Sequence, residues 1–313
     1  MRQMTDRLNS QSLGKPRPQS MGVRISNFAD RYMHIIFPLP ALIIVLATML
    51  YPLVYTLLLS TRVYGTNLQK YTFVGARHFG DVLQDERFIN ALGRTFYFAL
   101  LTVTISIVVG MIMALIMNRE FWGAPVVRTL FLLPMVATPV ATSLVWIMMF
   151  NPTLGVLNYF LRMLGLAPSL WVADPRWVIP TIVMVDVWHS APFVMLILLA
   201  GIRSLPYEPF ESAMIDGATR WQMFTKITLP LIRPALVVAM MFRTIDALKV
   251  FDLIWVMTAG GPGYDSETLY IYAYNNAFKY LNLGYGSAVI IIFTLIVTAA
   301  SVFWIRMRNR EWI

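Results

Sequence analysis

Residues 92–118 read LGRTFYFALLTVTISIVVGMIMALIMN, in which Arg94 is the single charged side chain. A helix rises about 1.5 Å per residue, so this stretch is long enough to cross the roughly 30 Å hydrocarbon layer of a bilayer. Apolar runs of this length with almost no charge are typical of membrane-spanning segments. The stretch therefore predicts a transmembrane helix.

The same pattern recurs along the chain. Of the 313 residues, 58% are apolar and 13% are charged, about half the ~25% charged share of soluble domains. The sequence therefore predicts an all-α, polytopic membrane protein with six transmembrane helices within residues 31–313. The five further apolar stretches cover residues 33–60, 128–150, 177–202, 231–258 and 286–306.

The distribution of positive charge predicts how the chain is oriented. Six spans place both ends on one side of the membrane, and fifteen of the 25 Lys and Arg residues fall on that side, against eight on the other. Cytoplasmic loops carry the excess of Lys and Arg, so both termini are expected in the cytoplasm. Residues 1–30 are interpreted as a flexible cytoplasmic tail. Much of the net charge of +9 is then explained by the positive cytoplasmic tails and loops, and it does not indicate a nucleic-acid partner.

Prolines within the predicted spans indicate kinks, since each removes a backbone donor. Pro134 and Pro139 lie in the third stretch, and Pro180 and Pro192 in the fourth. Neighbouring helices can satisfy the freed carbonyls, so such kinks are tolerated in membranes.

Several chemistries are excluded by what the sequence lacks. There is no cysteine, the three histidines stand singly, and no G-x-x-x-x-G-K-[ST] run is present to hold nucleotide phosphates. No arrangement of nucleophile, base and acid stands out. We therefore expect neither a metal site nor a catalytic site nor a cofactor in this chain, and no enzyme activity of its own.

The connection at residues 204–230 is predicted to form two short helices rather than a flexible loop. Pro209 suits a first helical position and Gly217 a terminating one. Thr219 followed by Gln222 has the spacing of a capping box. An amphipathic pair of this kind either lies on the bilayer interface or docks into a groove of a partner.

This connection resembles the EAA loop of binding-protein-dependent ABC importer permeases, which reads E-A-A-x-x-D-G-A and then F-x-x-I-x-L-P. Residues 211–218 read ESAMIDGA, with Ser212 in place of alanine, and Phe224, Ile227 and Leu229-Pro230 follow at the family spacing. In that family the loop docks into a cleft of the ATPase subunit. The resemblance implies an ATPase-coupling site formed by Glu211, Ser212, Ala213, Asp216, Gly217 and Ala218.

A second run is similar to the F-D-x-I-x-x-x-T-x-G-G-P signature of the sugar-importing branch, which contains maltose and glycerol-3-phosphate permeases. It extends from Phe251 to Pro262. The resemblance implies a type I ABC importer permease fold in a bacterial cytoplasmic membrane, and favours a disaccharide such as trehalose or maltose, as in actinobacterial trehalose importers. The implied partners are a second homologous permease, two ATPase subunits that carry ATP and Mg²⁺, and an extracytoplasmic solute-binding lipoprotein.

Ionisable residues inside predicted spans are candidates for function, because each costs about 2.5–3.5 kcal/mol at the bilayer centre. In the fifth span, Arg243, Asp246, Lys249 and Asp252 recur every third residue with alternating sign. On one continuous helix this ladder would wind halfway around the axis. It could form salt bridges within the helix or line a solute path, and either role predicts a central fifth span.

The fourth span offers a second polar group. Asp186 and His189 lie one turn apart, which suits either a proton relay or a hydrogen-bonded pair in a kinked helix. Carboxylates bond sugar hydroxyls and indole rings cover apolar sugar faces. The predicted substrate-cavity residues are therefore Asp186, Trp188, Asp252 and Trp255.

Six tyrosines lie in the segment 259–285, which predicts an aromatic belt at the outer interface or a docking surface for an external receptor. Three functions compete at this stage. The first is the permease subunit of an ATP-driven carbohydrate importer. The second is a self-sufficient secondary carrier driven by protons through Asp186 and His189, and the third is a membrane scaffold that only anchors partners.

Overall fold

The computed structural model describes residue 33 and residues 37–64 and 70–310. The predicted tail, residues 1–30, lies outside this part of the chain. Helices dominate the described residues. They are α1 Leu39–Ser60, α2 Arg77–Gln84, α3 Glu86–Met117, α4 Ala124–Val136, α5 Pro139–Met149, α6 Val156–Met163, α7 Val178–Arg203, α8 Glu208–Ile215, α9 Arg220–Met223, α10 Leu229–Leu231, α11 Arg233–Leu248, α12 Asp252–Thr258, α13 Leu269–Tyr274 and α14 Leu283–Arg310.

Four of these helices, α1, α3, α7 and α14, are each long and apolar enough to cross a membrane. Two further bent pairs of helices pass the same test together, which brings the number of candidate spans in the described residues to as many as six. Helix α1 carries its apolar side chains on an exposed surface along its length.

Helices α3 and α7 pack against each other along their length and form the centre of the bundle. Gly110 of α3 permits this approach, since a Cβ built there would lie 2.6 Å from the Val194 side chain of α7. Asp85 caps α3 by accepting hydrogen bonds from the backbone N–H groups of Arg87 and Phe88, which satisfies donors that have no partner within the helix. Helix α11 packs against α3, α7 and α14, as expected of a central fifth span.

The third predicted span, 128–150, is two helices instead of one. Helices α4 and α5 meet at an angle of 97°, where Ala137 and Thr138 adopt extended backbone. Thr138 caps α5 and Pro139 occupies its first turn, a position where proline needs no hydrogen-bond donor. By contrast, Pro192 lies inside the continuous helix α7.

The fifth predicted span, 231–258, also departs from a single helix. The helical run from α9 through α10 bends by 68° into α11, between Leu231 and Arg233. Helix α11 ends at Leu248, and α12 begins anew at Asp252. The predicted ladder therefore does not lie on one continuous helix.

The chain is not wholly α-helical. Strands β1, Arg62–Tyr64, and β2, Tyr71–Phe73, form a two-stranded antiparallel sheet in which Arg62 pairs with Phe73. This hairpin is a small exception to the predicted all-α fold, because its short strands alternate too briefly to be distinguished from a loop in the sequence.

Candidate functional site

A polar cavity of about 440 Å³ opens between α5, α7, α11 and the start of α12. It is notable because the surrounding bundle is apolar. All four residues of the predicted charge ladder line it, together with residues from the third and fourth predicted spans. The lining residues are Met135, Pro139, Asp186, His189, Ser190, Arg243, Asp246, Lys249, Val250, Phe251, Asp252 and Leu253.

Arg243 and Asp186 form an ion pair across α11 and α7. Arg243 is 3% exposed, and its guanidinium also donates a 3.0 Å hydrogen bond to the Thr102 hydroxyl of α3. The Thr102 hydroxyl in turn donates to the Asp186 carboxylate. This triad joins the three central helices, and each charge is stabilised by an opposite charge, as a buried charge requires.

The pairing corrects two expectations from the sequence. Asp186 is bonded to Arg243 and Thr102 rather than to His189, whose Nε2 lies 3.1 Å from the Ala137 carbonyl oxygen. This removes the local pair of Asp186 and His189 on which both alternatives, a proton relay and a hydrogen-bonded pair, depended. Among the described residues, Arg243 forms its ion pair between helices and not with Asp246 of its own helix.

The predicted substrate-cavity residues separate into two groups. Asp186 and Asp252 line the cavity. Trp188 lies outside this lining and packs edge-on against Trp146 with ring centroids 5.5 Å apart. Trp255 also lies outside it, stacked on Phe251 at 5.7 Å. Contact of any of the four with solute stays a prediction.

The predicted coupling residues lie on α8 and the turn that follows it. The N–H of Ala218 donates to the Ala213 carbonyl at 2.9 Å, and the N–H of Gly217 to the Met214 carbonyl at 3.1 Å. These two bonds constitute a Schellman motif, which requires a left-handed residue at its centre. Gly217 supplies it with φ +74°. The sequence D-G-A thus ends α8 sharply and turns the chain into α9.

Helix α9 begins with the predicted capping box. The Thr219 side chain accepts from the Gln222 N–H, and the Gln222 side chain accepts from the Thr219 N–H. Large apolar side chains project from both short helices, with Ile215 87% and Trp221 72% exposed. Glu211 and Asp216 are also exposed. An exposed surface that mixes apolar and acidic side chains is suited to a partner.

A third polar assembly joins the 259–285 segment to the start of α3. The guanidinium of Arg87 forms two 2.7 Å bonds to the Glu267 carboxylate, which is fully buried. Asn275 donates a further 2.8 Å bond to this carboxylate, and Arg87 lies 3.7 Å from the ring centroid of Tyr264. Such a bidentate pair holds the two side chains in one relative orientation and also compensates their charges.

The tyrosines of this segment do not all form an aromatic belt. Tyr272 is 1% exposed, and its hydroxyl donates to Asp85 at 2.7 Å, while that of Tyr285 donates at 2.9 Å. Burial by itself raises the pKa of Asp85, but the bonds from both hydroxyls and from two backbone N–H groups outweigh it, so the pKa lies below its ordinary value.

Sequence reasoning missed Thr102, Arg87 and the role of Glu267. Thr102 carries no charge and gives no signal within an apolar span. Arg87 and Glu267 are 180 residues apart, and Arg87 directly follows Asp85 and Glu86, so nothing in the local sequence indicates this pairing. The opposite charges of Arg243 and Asp186, each inside a predicted span, indicate that each needs a partner but not which residue that partner is.

These features define a class: a helical membrane protein with a polar cavity in its bundle and a pair of short, exposed helices between two spans. The chain belongs to the family of binding-protein-dependent transport system inner membrane components, whose model matches residues 106–310. It is therefore a multi-pass inner-membrane component of an ABC transporter, and the family predicted from residues 211–218 and 251–262 is confirmed.

Two relatives and a solved structure are similar to this chain and support the family assignment. The trehalose/maltose transport system permease protein MalF of Thermococcus litoralis is 35% identical over 86% of this chain and 91% of its own length. The trehalose transport system permease protein SugA of Mycobacterium tuberculosis is 34% identical over 89% of each chain. A chain of the bacterial alginate ABC transporter, crystallised with an alginate pentasaccharide-bound periplasmic protein, is 26% identical with a TM-score of 0.79, covering 92% of this chain and 98% of that one.

Proposed function

We propose that this chain is the permease subunit of an ATP-driven ABC importer that carries a sugar into the cytoplasm. The observation that carries the proposal is the cavity whose lining gathers five charged side chains from α7, α11, the break before α12 and the start of α12, within an otherwise apolar bundle. Carboxylates and an ammonium group there can bond sugar hydroxyls. The names of the relatives, which specify trehalose and maltose, support the same solute class.

The charges of the cavity favour a neutral sugar over an anionic one. Three carboxylates and two cations line it, and one of these cations, Arg243, is already bonded to Asp186. Lys249 therefore lies among an excess of carboxylate, from Asp246 and Asp252. This excess of negative charge would repel an anionic solute, whereas a neutral disaccharide such as trehalose or maltose would not be repelled.

The chain would work with a second homologous permease, two ATPase subunits and an extracytoplasmic binding protein. ATP and Mg²⁺ would be held by the ATPases. With six spans and both termini in the cytoplasm, residues 204–230 would face those subunits, and Glu211, Ser212, Ala213, Asp216, Gly217 and Ala218 would form the docking surface.

Movement of the ATPases would reach the cavity through a continuous helical path. From α9 the chain stays helical to α11 apart from one bend, and α11 carries Arg243 and Asp246 into the cavity. Closure of the ATPases on ATP would displace α8 and α9, and α11 would move with them. Such rigid displacement is a common route from an effector site to a distant one.

The coupling role is tested by Gly217→Val. Valine at φ +74° is strained by at least about 1–2 kcal/mol, so the Schellman turn is expected to open and misplace the docking surface. We expect the ATPase to copurify at a severalfold lower yield and ATP-dependent uptake to fall by at least about tenfold.

Gly165→Val provides the matched control. Gly165 has nearly the same backbone, φ +73°, with open space around its Cβ position, and follows α6 in a different connection. Its substitution should leave ATPase association unchanged. If Gly217→Val retains both the ATPase and normal uptake, the coupling assignment is wrong.

A further inference from the structure

A large apolar groove runs beside the coupling residues and is separate from the polar cavity. Its volume is about 1020 Å³, at the upper end of the ~300–1,000 Å³ range of small-molecule sites. One wall is the second half of α3, and the other is formed by α9, α10 and the start of α11. Apolar lining residues include Ile107, Val108, Met111, Ile112, Leu115 and Leu229.

The groove has a basic end. Arg119, two residues beyond α3, and Arg220, the first residue of α9, both line it. Both are exposed. Within the part of the chain that the structure describes, neither forms an ion pair. Nearby Arg203, by contrast, donates to the Met117 carbonyl oxygen.

We propose that this groove binds an anionic phospholipid, with an acyl chain along the apolar wall and the phosphate between Arg119 and Arg220. The combination of a long apolar wall and two cations at one end matches an amphiphile with a negative head group. Basic pockets between membrane helices on the cytoplasmic side are suited to anionic head groups. A helix of a partner protein would cover the wall but would not by itself supply an anion to the arginines.

The position of the groove gives the lipid a direct contact with the coupling loop. Trp221 and Phe224 line it, with ring centroids 5.8 Å apart. A bound lipid would therefore pack against the same short helix whose N-terminal turn follows Gly217. The proposal does not depend on the identity of the solute.

Fluorescence of Trp221 tests the proposal. The full chain, with the partners that accompany it in purification, is placed in nanodiscs containing phosphatidylglycerol or phosphatidylcholine brominated on the acyl chain. The Trp221 signal is the difference between the wild type and Trp221→Phe. We expect half-maximal quenching at a mole fraction of brominated phosphatidylglycerol about tenfold lower than that of brominated phosphatidylcholine, since each arginine contributes to the preference.

Arg119→Gln combined with Arg220→Gln should abolish this preference while leaving quenching by phosphatidylcholine unchanged. Arg306→Gln is the control, because Arg306 is the single cation lining a different apolar groove, of about 610 Å³, on α14. Its substitution should keep the preference. Equal quenching by the two lipids, a preference that survives the double substitution, or no quenching because a partner protein covers the groove would each overturn the proposal. The readout requires no transport, so it is independent of the proposed solute and coupling.

Discussion

At the scale of single residues, the ion pair of Arg243 and Asp186 in the lining of the cavity joins two helices. Arg243 lies between α3, α7 and α11 and is bonded to Asp186 and Thr102. An unpaired cation at this position would be costly in a bilayer. The pair therefore has a structural role beside any role in solute binding.

Asp186→Asn is expected to destabilise the chain strongly. It leaves Arg243 buried without a compensating charge, and breaking a buried pair by removing one partner costs about 3–5 kcal/mol. Asp81→Asn is the control, because its ion pair with Arg77 is exposed on both sides and such pairs contribute about 0–1 kcal/mol. Denaturant titration in detergent measures the free energy of unfolding of both variants.

Replacing both partners distinguishes the loss of stability caused by an unpaired charge from the loss caused by altered packing. Asp186→Leu with Arg243→Met removes both buried charges, so the double variant should recover most of the lost stability. If Asp186→Asn proves no more harmful than Asp81→Asn, the buried pair does not stabilise the fold.

Single residues also show what the sequence could and could not predict. The capping box at Thr219 and the terminating Gly217 were predictable, because both depend on contacts within a few residues. The partner of Asp186 was not, since His189 is close in sequence whereas Arg243 is 57 residues away. Sequence spacing predicts contacts along one helix, but not which helices meet.

At the scale of elements, the segment 259–285 is held to the start of α3 by two polar clusters, Arg87 with Glu267 and Asp85 with Tyr272 and Tyr285.

Composition predicted the membrane spans but not the breaks within them. A proline does not by itself indicate a break, because the helix continues through Pro192 whereas a 97° bend precedes Pro139. Both breaks border the cavity, since Met135 and Pro139 flank the 97° bend and Val250 and Phe251 lie between α11 and α12.

The Asp85 cluster predicts a dependence on pH. The pKa of Asp85 is lowered in the folded protein, so the ionised carboxylate contributes stability above the ordinary aspartate pKa of about 3.9, and this contribution is lost as the pH falls through the lower folded value. Asp85→Asn should therefore cost about 1–2 kcal/mol at pH 7, and the difference from wild type should shrink steadily below about pH 4.

Thermal unfolding of both proteins at pH 7 and at pH 3 measures this change, with Asp81→Asn as a surface control. A gap between wild type and Asp85→Asn that is the same at both pH values would show that the bonds to the carboxylate do not depend on its charge.

At the scale of the whole molecule, the source of energy distinguishes the proposed importer from a self-sufficient proton-driven carrier. The sequence has no nucleotide-binding loop, and the structure bonds Asp186 to Arg243 instead of His189. We therefore expect uptake only when this chain is reconstituted with its second permease, its ATPases and the binding protein, with ATP on the ATPase side. Collapse of the proton gradient should change the rate by less than about twofold.

The solute is tested in the same vesicles. Because carboxylates outnumber cations in the cavity, labelled trehalose or maltose should accumulate and a phosphorylated disaccharide should not. The binding protein also selects solutes, so the decisive variant is one of the permease itself. Asp246→Asn with Asp252→Asn makes the cavity net positive and should reduce discrimination against the anionic sugar, whereas Asp174→Asn, in the connection before α7, should not. Uptake of the neutral sugar by the isolated chain under a proton gradient would instead favour the secondary carrier, and unchanged discrimination in the double variant would place selection entirely outside this cavity.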